Sequence, residues 1–390
     1  MPIQLEMVQY NAMNVVYDEN IPFGREAFAT LGSVQSCAGR AITPKILAGC
    51  DALFVRSVTP VNAALLDDSN VRFVATATSG SDHIDTAYLH RRGIAWIDAI
   101  GSNARSVAEY VLTGVLELAA RDGIALRGKH IGVVGVGHVG SLVAAYAQAL
   151  GMTVVLNDPP RQRRERDFSG VDLATALAAD IVTLHTPLTT EGPDATFHLL
   201  DSTRIAALKP GAMLVHTCRG PVVDTHALKA RLSTRRDLRV IMDVWEDEPA
   251  IDPEFLALVD IGTPHIAGYS WPSKVRATDI VYRAACRFFD CAPAWRPPAL
   301  PAGVAALHIN GDVLDPTSAT ALLTALRPVY DIVADDTRLR RLLSMPRAEH
   351  GPYFDLLRKT YPIRLEWPLA HVQAASTATR ALLVQLGFTC

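Results

Sequence analysis

The sequence predicts an α/β protein of more than one domain. Short β-branched runs recur through the first 290 residues, and segments of helical length separate them, as in sheets of buried parallel strands. A glycine-rich turn links one of these strands to the helix that follows it. A proline-rich segment at 293–301 then sets apart about ninety residues with both strand and helix patterns. These residues are predicted to form a small α+β domain.

Composition excludes several classes of protein. The 390 residues suggest about two or three domains, and the 49% hydrophobic content excludes global disorder. A net charge of −3 gives no general affinity for nucleic acid or an anionic membrane, and no run of 18 apolar residues predicts a membrane span. The six cysteines form no C-x-x-C pair, and the N-terminus lacks the pattern of a secretory signal. We therefore expect a cytoplasmic protein without a disulfide framework or a metal site.

The predicted elements follow from local periodicity. Apolar runs bounded by turn residues predict strands, and apolar positions at a spacing of three or four predict helices. The predicted strands are 14–17, 52–56, 73–76, 94–97, 131–134, 153–156, 181–184, 213–216, 240–244 and 305–309. The predicted helices are 106–120, 139–150, 271–290 and 318–331.

The glycine-rich turn has the spacing G-x-G-x-x-G, from Gly135 to Gly140 through Val136, Gly137, His138 and Val139. The motif alone is weak, since it also fits a plain strand–turn–helix junction, but here a strand precedes it and a helix follows. Gly135 permits the tight turn, Gly137 lets a pyrophosphate approach the backbone, and Gly140 lets the helix pack closely. A second strand ends at Asp158, whose carboxylate suits the ribose hydroxyls. A dinucleotide-binding domain of the Rossmann type is predicted.

The choice between NAD and NADP depends on what surrounds Asp158. Its carboxylate repels a 2′-phosphate and favours NAD. Arg161, Arg163, Arg164 and Arg166 follow it, and arginines are what a 2′-phosphate site uses, although such a run is more often a solvated loop. The run also leaves open a contact with RNA. We predict NAD because Asp158 lies at the diagnostic position.

Three later segments each follow a predicted strand, where ligands gather in an open parallel sheet. They contain Arg219, Glu248 and His265. Oxidation of a 2-hydroxy acid needs a guanidinium to hold the carboxylate, a base of near-neutral pKa for the hydroxyl proton, and a carboxylate to orient that base. Singly these residues have simpler explanations, including a surface arginine, a solvated acidic turn and a core histidine. Together behind a dinucleotide motif, they predict a dehydrogenase.

These segments resemble those of the D-isomer-specific 2-hydroxyacid dehydrogenases, and the resemblance extends from about residue 14 to residue 290. Within that family, the sequence is most similar to a branch whose members carry an additional C-terminal dimerisation domain. The motifs that carry it are Val16-Tyr17-Asp18-Glu19-Asn20, Val55-Arg56-Ser57-Val58-Thr59, 76–83, Asp158-Pro159-Pro160-Arg161, His185-Thr186-Pro187-Leu188, Cys218-Arg219-Gly220 and 259–269.

The resemblance implies a Rossmann-type NAD-binding domain at 103–269, inserted in a flavodoxin-like substrate domain formed by 1–102 and 270–290. It implies a dimerisation domain at 291–390, a homodimer, and an active site in the cleft between the first two domains. The substrate it implies is a small phosphorylated 2-hydroxy acid. The resemblance places Arg219, Glu248 and His265 at catalytic positions, Ser57, Thr78 and Tyr269 at substrate contacts, and Asp158, Thr186, Asp243 and Gly268 at NAD contacts.

Alternatives remain open for function and assembly. The same chemistry on another substrate, such as 3-phosphoglycerate, and a non-enzymatic NAD(H)-responsive binding protein both fit the motifs. In the C-terminal region an apolar stripe at helical spacing packs either inside its own domain or against a second subunit. Arginines of the same region are candidates to bind a substrate phosphate. The stripe comprises Ala321, Leu322, Leu323, Leu326, Val329 and Ile332, and the arginines are Arg338, Arg340, Arg341, Arg347 and Arg358.

Overall fold

The computed structural model describes residues 13–301, 307–310, 318–373 and 376–389. The chain divides into two units, of which the first is Met1–Ser102 with Lys274–Leu300 and the second is Asn103–Ser273 with Pro301–Cys390. Among the residues described, no helix combines the length and apolarity needed to span a bilayer.

The first unit is built on a sheet of five parallel strands in the order β2-β1-β3-β4-β5. This is the flavodoxin-like order, so the expected α/β class is confirmed. The bounds are β1 Met13–Asp18, α1 Gly24–Phe28, β2 Gly32–Cys37, β3 Ala52–Val55, α2 Ala63–Leu66, β4 Phe73–Thr76, α3 Thr86–Arg91 and β5 Ala95–Asp98.

Strand β2 is absent from the sequence-based prediction. Among the described strands it lies at the edge of the sheet and pairs with β1, in parallel. None of its six residues is fully buried. A strand with so little apolar content gives no hydrophobic signal, and only the partner strand reveals it.

A long helix near residue 280 completes the core of the first unit. This helix, α11 (Trp271–Phe288), buries Val281 and Tyr282 among the apolar residues of the sheet. The hydroxyl of Tyr282 hydrogen-bonds to that of Thr30 at 2.8 Å and accepts from the amides of Ala294 and Trp295. The chain segment after α11 is therefore fixed to the same unit.

The second unit contains a sheet of six parallel strands in the order β11-β10-β9-β8-β6-β7. Strand β6 lies between β7 and β8, so the strand order reverses there, which is the switch point at which such sheets bind ligands. The bounds are α4 Ala104–Asp122, β6 His130–Val134, α5 His138–Ala149, β7 Thr153–Asn157, α6 Pro159–Arg164, α7 Leu173–Leu177, β8 Ile181–Leu184, α8 Ser202–Ala207, β9 Met213–His216, α9 Thr225–Thr234, β10 Arg239–Met242, α10 Pro253–Leu258 and β11 Ile261–Gly262.

The C-terminal segment is mainly helical with one pair of parallel strands. Of the strand predicted at 305–309, residues 305–306 lie outside the described residues, and the rest falls within β12. The bounds are β12 Leu307–Asn310, α12 Ala319–Leu326, α13 Ile332–Arg340, α14 Arg347–Lys359, β13 Ala370–Gln373 and α15 Thr377–Gln385.

The single helix predicted at 318–331 is wrong. Helix α12 ends at Leu326, and a new helix, α13, begins at Ile332. Pro328 has no amide hydrogen and cannot continue the first helix. The carboxylate of Asp331 then caps the second by accepting hydrogen bonds from the amides of Val333 and Ala334 at 3.0 and 3.1 Å.

The apolar stripe of this segment is covered by the same chain. Leu322, Leu326 and Ile332 are at most 3% exposed and belong to one core with α4 and α5. Gly114 on α4 permits this approach, because a Cβ there would lie 3.3 Å from Cδ1 of Ile332. The stripe therefore packs within the second unit of its own chain, against α4 and α5, and the homodimer stays a prediction.

A buried acidic group also joins α4 to the C-terminal segment. Glu109 is fully buried, and one carboxylate oxygen accepts a hydrogen bond from the Trp367 amide at 2.9 Å. Burial and the neighbouring Glu366 raise the pKa of Glu109 well above its ordinary value. Glu366 in turn accepts a hydrogen bond from the Ser270 hydroxyl at 2.6 Å. Polar as well as apolar contacts thus bind the segment to the second unit.

We predict that Leu326→Ala lowers the thermal midpoint of the protein by several degrees. The substitution removes a side chain that is 1% exposed and leaves a cavity, which costs about 2–5 kcal/mol. Leu343→Ala is the matched control, because Leu343 lies in the same segment but is 42% exposed. Differential scanning calorimetry measures both, and equal midpoints would contradict the packing described.

Candidate active site

Two glycines of the glycine-rich turn are required by the backbone. Gly135 follows β6 with a φ of 86°, and a Cβ there would lie 2.7 Å from the His185 carbonyl. A Cβ on Gly140, in the first turn of α5, would lie 2.0 Å from the carbonyl oxygen of Gly135. A side chain at either position would collide with main-chain atoms that cannot rotate away. The turn therefore has the geometry that the motif predicts.

Gly137 differs from both, because the protein itself does not require it. It precedes α5 with a negative φ, and a Cβ there would meet nothing within 4 Å. His138 and Val139 begin the helix, whose free amide groups face this open space. An absent side chain beside a helix N-terminus fits a pyrophosphate that approaches the backbone. The residues present thus fit a dinucleotide.

Asp158 is anchored to the same turn. It follows β7, and one carboxylate oxygen accepts from the Val136 amide at 2.8 Å. The other accepts from the Arg161 amide at 2.8 Å and caps α6. Both oxygens keep a second lone pair, so a carboxylate of fixed position remains able to accept hydrogen bonds from ribose hydroxyls.

The arginine run beside Asp158 is partly engaged in internal contacts. Arg161 donates to the Val136 carbonyl at 2.7 Å and to Glu165 at 2.8 Å. Arg163 forms an ion pair with Asp194. Two of the four arginines therefore have carboxylate partners in their own unit, which favours the solvated-loop interpretation over a nucleic-acid surface.

The remaining predicted residues of the second unit follow successive strands at the carboxyl edge of its sheet. Thr186 follows β8, with its hydroxyl 3.9 Å from the sulfur of Cys218. Arg219 follows β9, and Asp243 follows β10. Because the strand order is β7-β6-β8-β9-β10-β11, the glycine-rich turn, Asp158 and Thr186 lie at one half of this edge, and Arg219 and Asp243 lie at the other.

Arg219 is half-buried and held by a close backbone contact. Its Nη1 donates to the Cys218 carbonyl at 2.8 Å. The next residue, Gly220, packs so tightly that a Cβ would lie 2.0 Å from the Trp245 carbonyl oxygen. The loop that carries Arg219 is thereby joined to the loop that carries Glu248.

Glu248 and His265 form a hydrogen-bonded pair. One carboxylate oxygen lies 2.7 Å from Nδ1 of His265, and the other accepts from the Trp245 amide at 2.9 Å. The side chain of His265 is 32% exposed and that of Glu248 is 20% exposed. The carboxylate fixes the ring so that Nδ1 carries hydrogen and Nε2 presents its lone pair.

The pair shifts both pKa values in the direction that a base requires. Burial lowers the pKa of His265, but Glu248 outweighs it, so the pKa lies above its ordinary value. Burial raises the pKa of Glu248, but His265 and Arg358 outweigh it and lower the value. Glu248 is therefore ionised near neutrality, and His265 is a stronger base than a free imidazole.

Asp243 organises the loop that carries His265. Its carboxylate is 1% exposed and accepts hydrogen bonds from the Thr263 hydroxyl and from the amides of Ile266 and Ala267, at 2.6–3.0 Å. Its carbonyl accepts from the His265 amide at 2.7 Å. These bonds hold His265 at a φ of 56°, which is uncommon for a residue with a side chain. Gly268 follows in this loop, and a Cβ there would lie 2.7 Å from the Asn103 side chain.

The predicted substrate contacts lie in both units. Ser57 is exposed just after β3, and Thr78 follows β4 with its hydroxyl 2.7 Å from that of Thr76. Tyr269 lies in the second unit, where its ring packs edge-to-face on Tyr361 at 5.9 Å. These three residues stay predicted as substrate contacts.

Two features escaped the sequence analysis. Glu246 also belongs to the acidic turn, but it pairs with His198 at 2.6 Å and caps the amide of Thr225. Arg358, from α14, lies with its Cζ 5.6 Å from the ring of Tyr269. Sequence gave no signal for either pairing, because both partners are distant along the chain.

Comparison with protein families gives two matches along the chain. Residues 99–267 match the D-isomer specific 2-hydroxyacid dehydrogenase, NAD binding domain. Residues 304–387 match a domain of unknown function, DUF3410. The first match covers the whole glycine-rich turn and the three catalytic candidates, so the family resemblance seen in the sequence is confirmed.

Similar proteins and structures agree. The chain is 46% identical to an erythronate-4-phosphate dehydrogenase of Cronobacter sakazakii and 45% identical to one of Klebsiella pneumoniae, covering 96% of this chain and 98% of each relative. A D-lactate dehydrogenase structure from Aquifex aeolicus, complexed with NAD and lactic acid, has a TM-score of 0.61 at 27% identity, over 71% of this chain and 96% of that one. The chain belongs to the erythronate-4-phosphate dehydrogenases, a branch of the D-isomer-specific 2-hydroxyacid dehydrogenases.

Proposed function

We propose that this protein oxidises 4-phospho-D-erythronate to 3-hydroxy-2-oxo-4-phosphooxybutanoate, with NAD as hydride acceptor, in the biosynthesis of pyridoxal 5′-phosphate. The observation that carries the proposal is the Glu248–His265 pair at 2.7 Å, on the same sheet edge as Arg219 and the glycine-rich turn. The names of its relatives give the substrate. Bound NAD would supply the acceptor for the hydride that leaves C2 of the substrate.

Arg219 binds the substrate carboxylate, and His265 accepts the proton of the substrate hydroxyl. The guanidinium of Arg219 holds the substrate carboxylate through two parallel hydrogen bonds, and this fixes C2. Nε2 of His265 accepts the proton of the C2 hydroxyl, because Nδ1 is committed to Glu248. As the imidazolium forms, the ionised Glu248 stabilises it. In the reverse direction the same imidazolium returns the proton.

The residues that would hold NAD lie at the carboxyl edge of the same six-stranded sheet. The amide groups at the start of α5 would bind the pyrophosphate beside Gly137, and Asp158 would accept hydrogen bonds from the adenosine ribose. The roles of Thr186, Asp243 and Gly268 as further NAD contacts rest on the family resemblance. Asp243 contributes in any case by holding the His265 loop.

The proposed domain division assigns 1–102 and 270–290 to substrate binding, 103–269 to NAD binding and 291–390 to dimerisation. Large apolar side chains left exposed in the C-terminal segment support a homodimer. Leu356 is 51% exposed and Val384 is 55% exposed, with Val333 and Ile363 also exposed. A cytoplasmic location fits the five described cysteines, all of which are free thiols.

The substrate is tested by the absorbance of NADH formed from NAD. We expect 4-phospho-D-erythronate to give a kcat/KM at least 10²-fold above those of 3-phosphoglycerate, D-lactate and D-glycerate, because specific polar recognition discriminates strongly. A higher value with another acid would replace the proposed substrate. Tight NADH binding without turnover of any acid would instead support a non-enzymatic NAD(H)-responsive protein.

The pH dependence tests the base. Oxidation requires neutral His265, so kcat/KM should fall as pH drops through its raised pKa, above 6.5. Glu248→Gln removes the charge that raises the pKa of His265, so the acidic limb of the kcat/KM profile should move to lower pH. Turnover should fall on the order of 10²-fold. Glu246→Gln, in the same turn but paired with His198, is the control and should leave the limb in place. An unmoved limb in Glu248→Gln would contradict the assignment.

Assembly is tested by sedimentation of the full-length protein. We expect a dimer, and we expect Leu356→Glu or Val384→Glu to weaken it because a charge would enter an apolar interface. Phe197→Glu is the control, since Phe197 is equally exposed at 51% but lies outside the C-terminal segment. A monomeric unmodified protein would rule out the homodimer.

A further inference from the structure

Arg358 brings a positive charge from the C-terminal segment to the catalytic pair. It lies in the last turn of α14, with its Cζ 5.6 Å from the ring centroid of Tyr269 and 6.0 Å from that of Phe354. The guanidinium of Arg358 lowers the pKa of both His265 and Glu248, although burial and the interaction within the pair have larger effects on each. All of these residues belong to the second unit.

One donor of this guanidinium is left unfilled. The carboxylates of Glu248 and Asp355 act on Arg358 electrostatically, but its Nε is enclosed by protein without a hydrogen-bond acceptor. Burial lowers the pKa of Arg358, but Tyr269 and Glu248 raise it above its ordinary value, so the group stays charged. An enclosed hydrogen-bond donor of a charged group is costly to leave unfilled, and an anionic acceptor would satisfy it.

The other arginines of this segment differ from Arg358. Arg338 forms an ion pair with Asp335. Arg340 pairs with Asp336 at 2.7 Å and donates to the carbonyls of Leu256 and Val259, in and just after α10. Arg341 and Arg347 are exposed to solvent. Of the five arginines, Arg358 therefore combines enclosure, proximity to the base and an unfilled hydrogen-bond donor.

The proposed substrate carries two anionic groups. Its carboxylate is adjacent to C2 and is bound by Arg219. Its phosphate is separated from C2 by two carbons and an ester oxygen, so a cation close to His265 lies within reach of it. Phosphate oxygens match the planar donors of a guanidinium, and the facing aromatic rings hold the guanidinium in place without neutralising it.

We propose that Arg358 binds the phosphate of the substrate and is a determinant of specificity for a phosphorylated 2-hydroxy acid. This inference rests on the proposed function. It makes the C-terminal segment a part of the substrate site of its own subunit.

The test compares two substrates in full-length variants. For Arg358→Met, assayed above the acidic limb of its own pH profile, we expect the KM for 4-phospho-D-erythronate to rise on the order of 10–100-fold and kcat/KM for it to fall far more than kcat/KM for unphosphorylated D-erythronate. Arg358→Lys keeps the charge without the planar fork and should give an intermediate KM. Arg347→Met is the control, because it removes one exposed arginine from the same helix and should affect neither substrate.

A direct readout separates this inference from the proposed function. Inorganic phosphate is titrated into the unmodified protein and into Arg358→Met, and its binding is followed by the line width of the phosphorus resonance. We expect broadening that Arg358→Met abolishes and Arg347→Met preserves. NAD binding and circular dichroism should be unchanged in every variant used.

The outcomes are distinct. Equal losses on both substrates, or a shift of the acidic limb alone, would show that Arg358 acts only through the catalytic pair and would overturn the phosphate assignment. Unchanged phosphate broadening in Arg358→Met would overturn it as well. If the unmodified protein fails to oxidise 4-phospho-D-erythronate but loses phosphate binding in Arg358→Met, the proposed substrate is wrong and the anion site remains.

Discussion

The buried carboxylate of Asp243 holds together the part of the molecule on which the chemistry depends. It stands at the end of β10 and accepts hydrogen bonds from two successive amides, Ile266 and Ala267, and from the Thr263 hydroxyl. Burial raises the pKa of Asp243, and the charge of His265 and the hydrogen bonds oppose that rise without cancelling it. A histidine with a left-handed backbone conformation would otherwise relax, so Asp243 preserves the orientation in which Nδ1 meets Glu248.

From that anchor, the catalytic and cofactor residues follow the order of the sheet. Parallel strands end at the same edge of the sheet, and the loop after each strand carries residues predicted to bind the cofactor or to act on the substrate. Close glycine contacts join neighbouring loops, as when Gly135 packs against His185 and Gly220 against Trp245. The positions of Arg219 and of the Glu248–His265 pair are therefore coupled through main-chain atoms, which resist displacement more than side chains do.

Much of the fold could be predicted from sequence, because the apolar runs and turn residues that mark each strand are local features of the chain. Strands β4, β8 and β9 have the predicted bounds, since each is a short apolar run between turn residues. The polar edge strand β2 gave no such run. The C-terminal helices were misjudged because periodicity shows an apolar face but not what covers it, and α4 covers it. Pairings such as Glu246 with His198 join residues about fifty positions apart and have no pattern in sequence.

The contact between Glu109 and the Trp367 amide has a consequence for engineering. A shortened dehydrogenase that ends after the NAD-binding region would expose the apolar face of α4 and leave a carboxylate in an environment made for its burial. Such a truncation would need compensating substitutions along the length of that helix before it could yield a minimal catalyst. Fusion partners are better attached at the chain ends. The final seventy or so residues should be kept, because they form part of the core around α4.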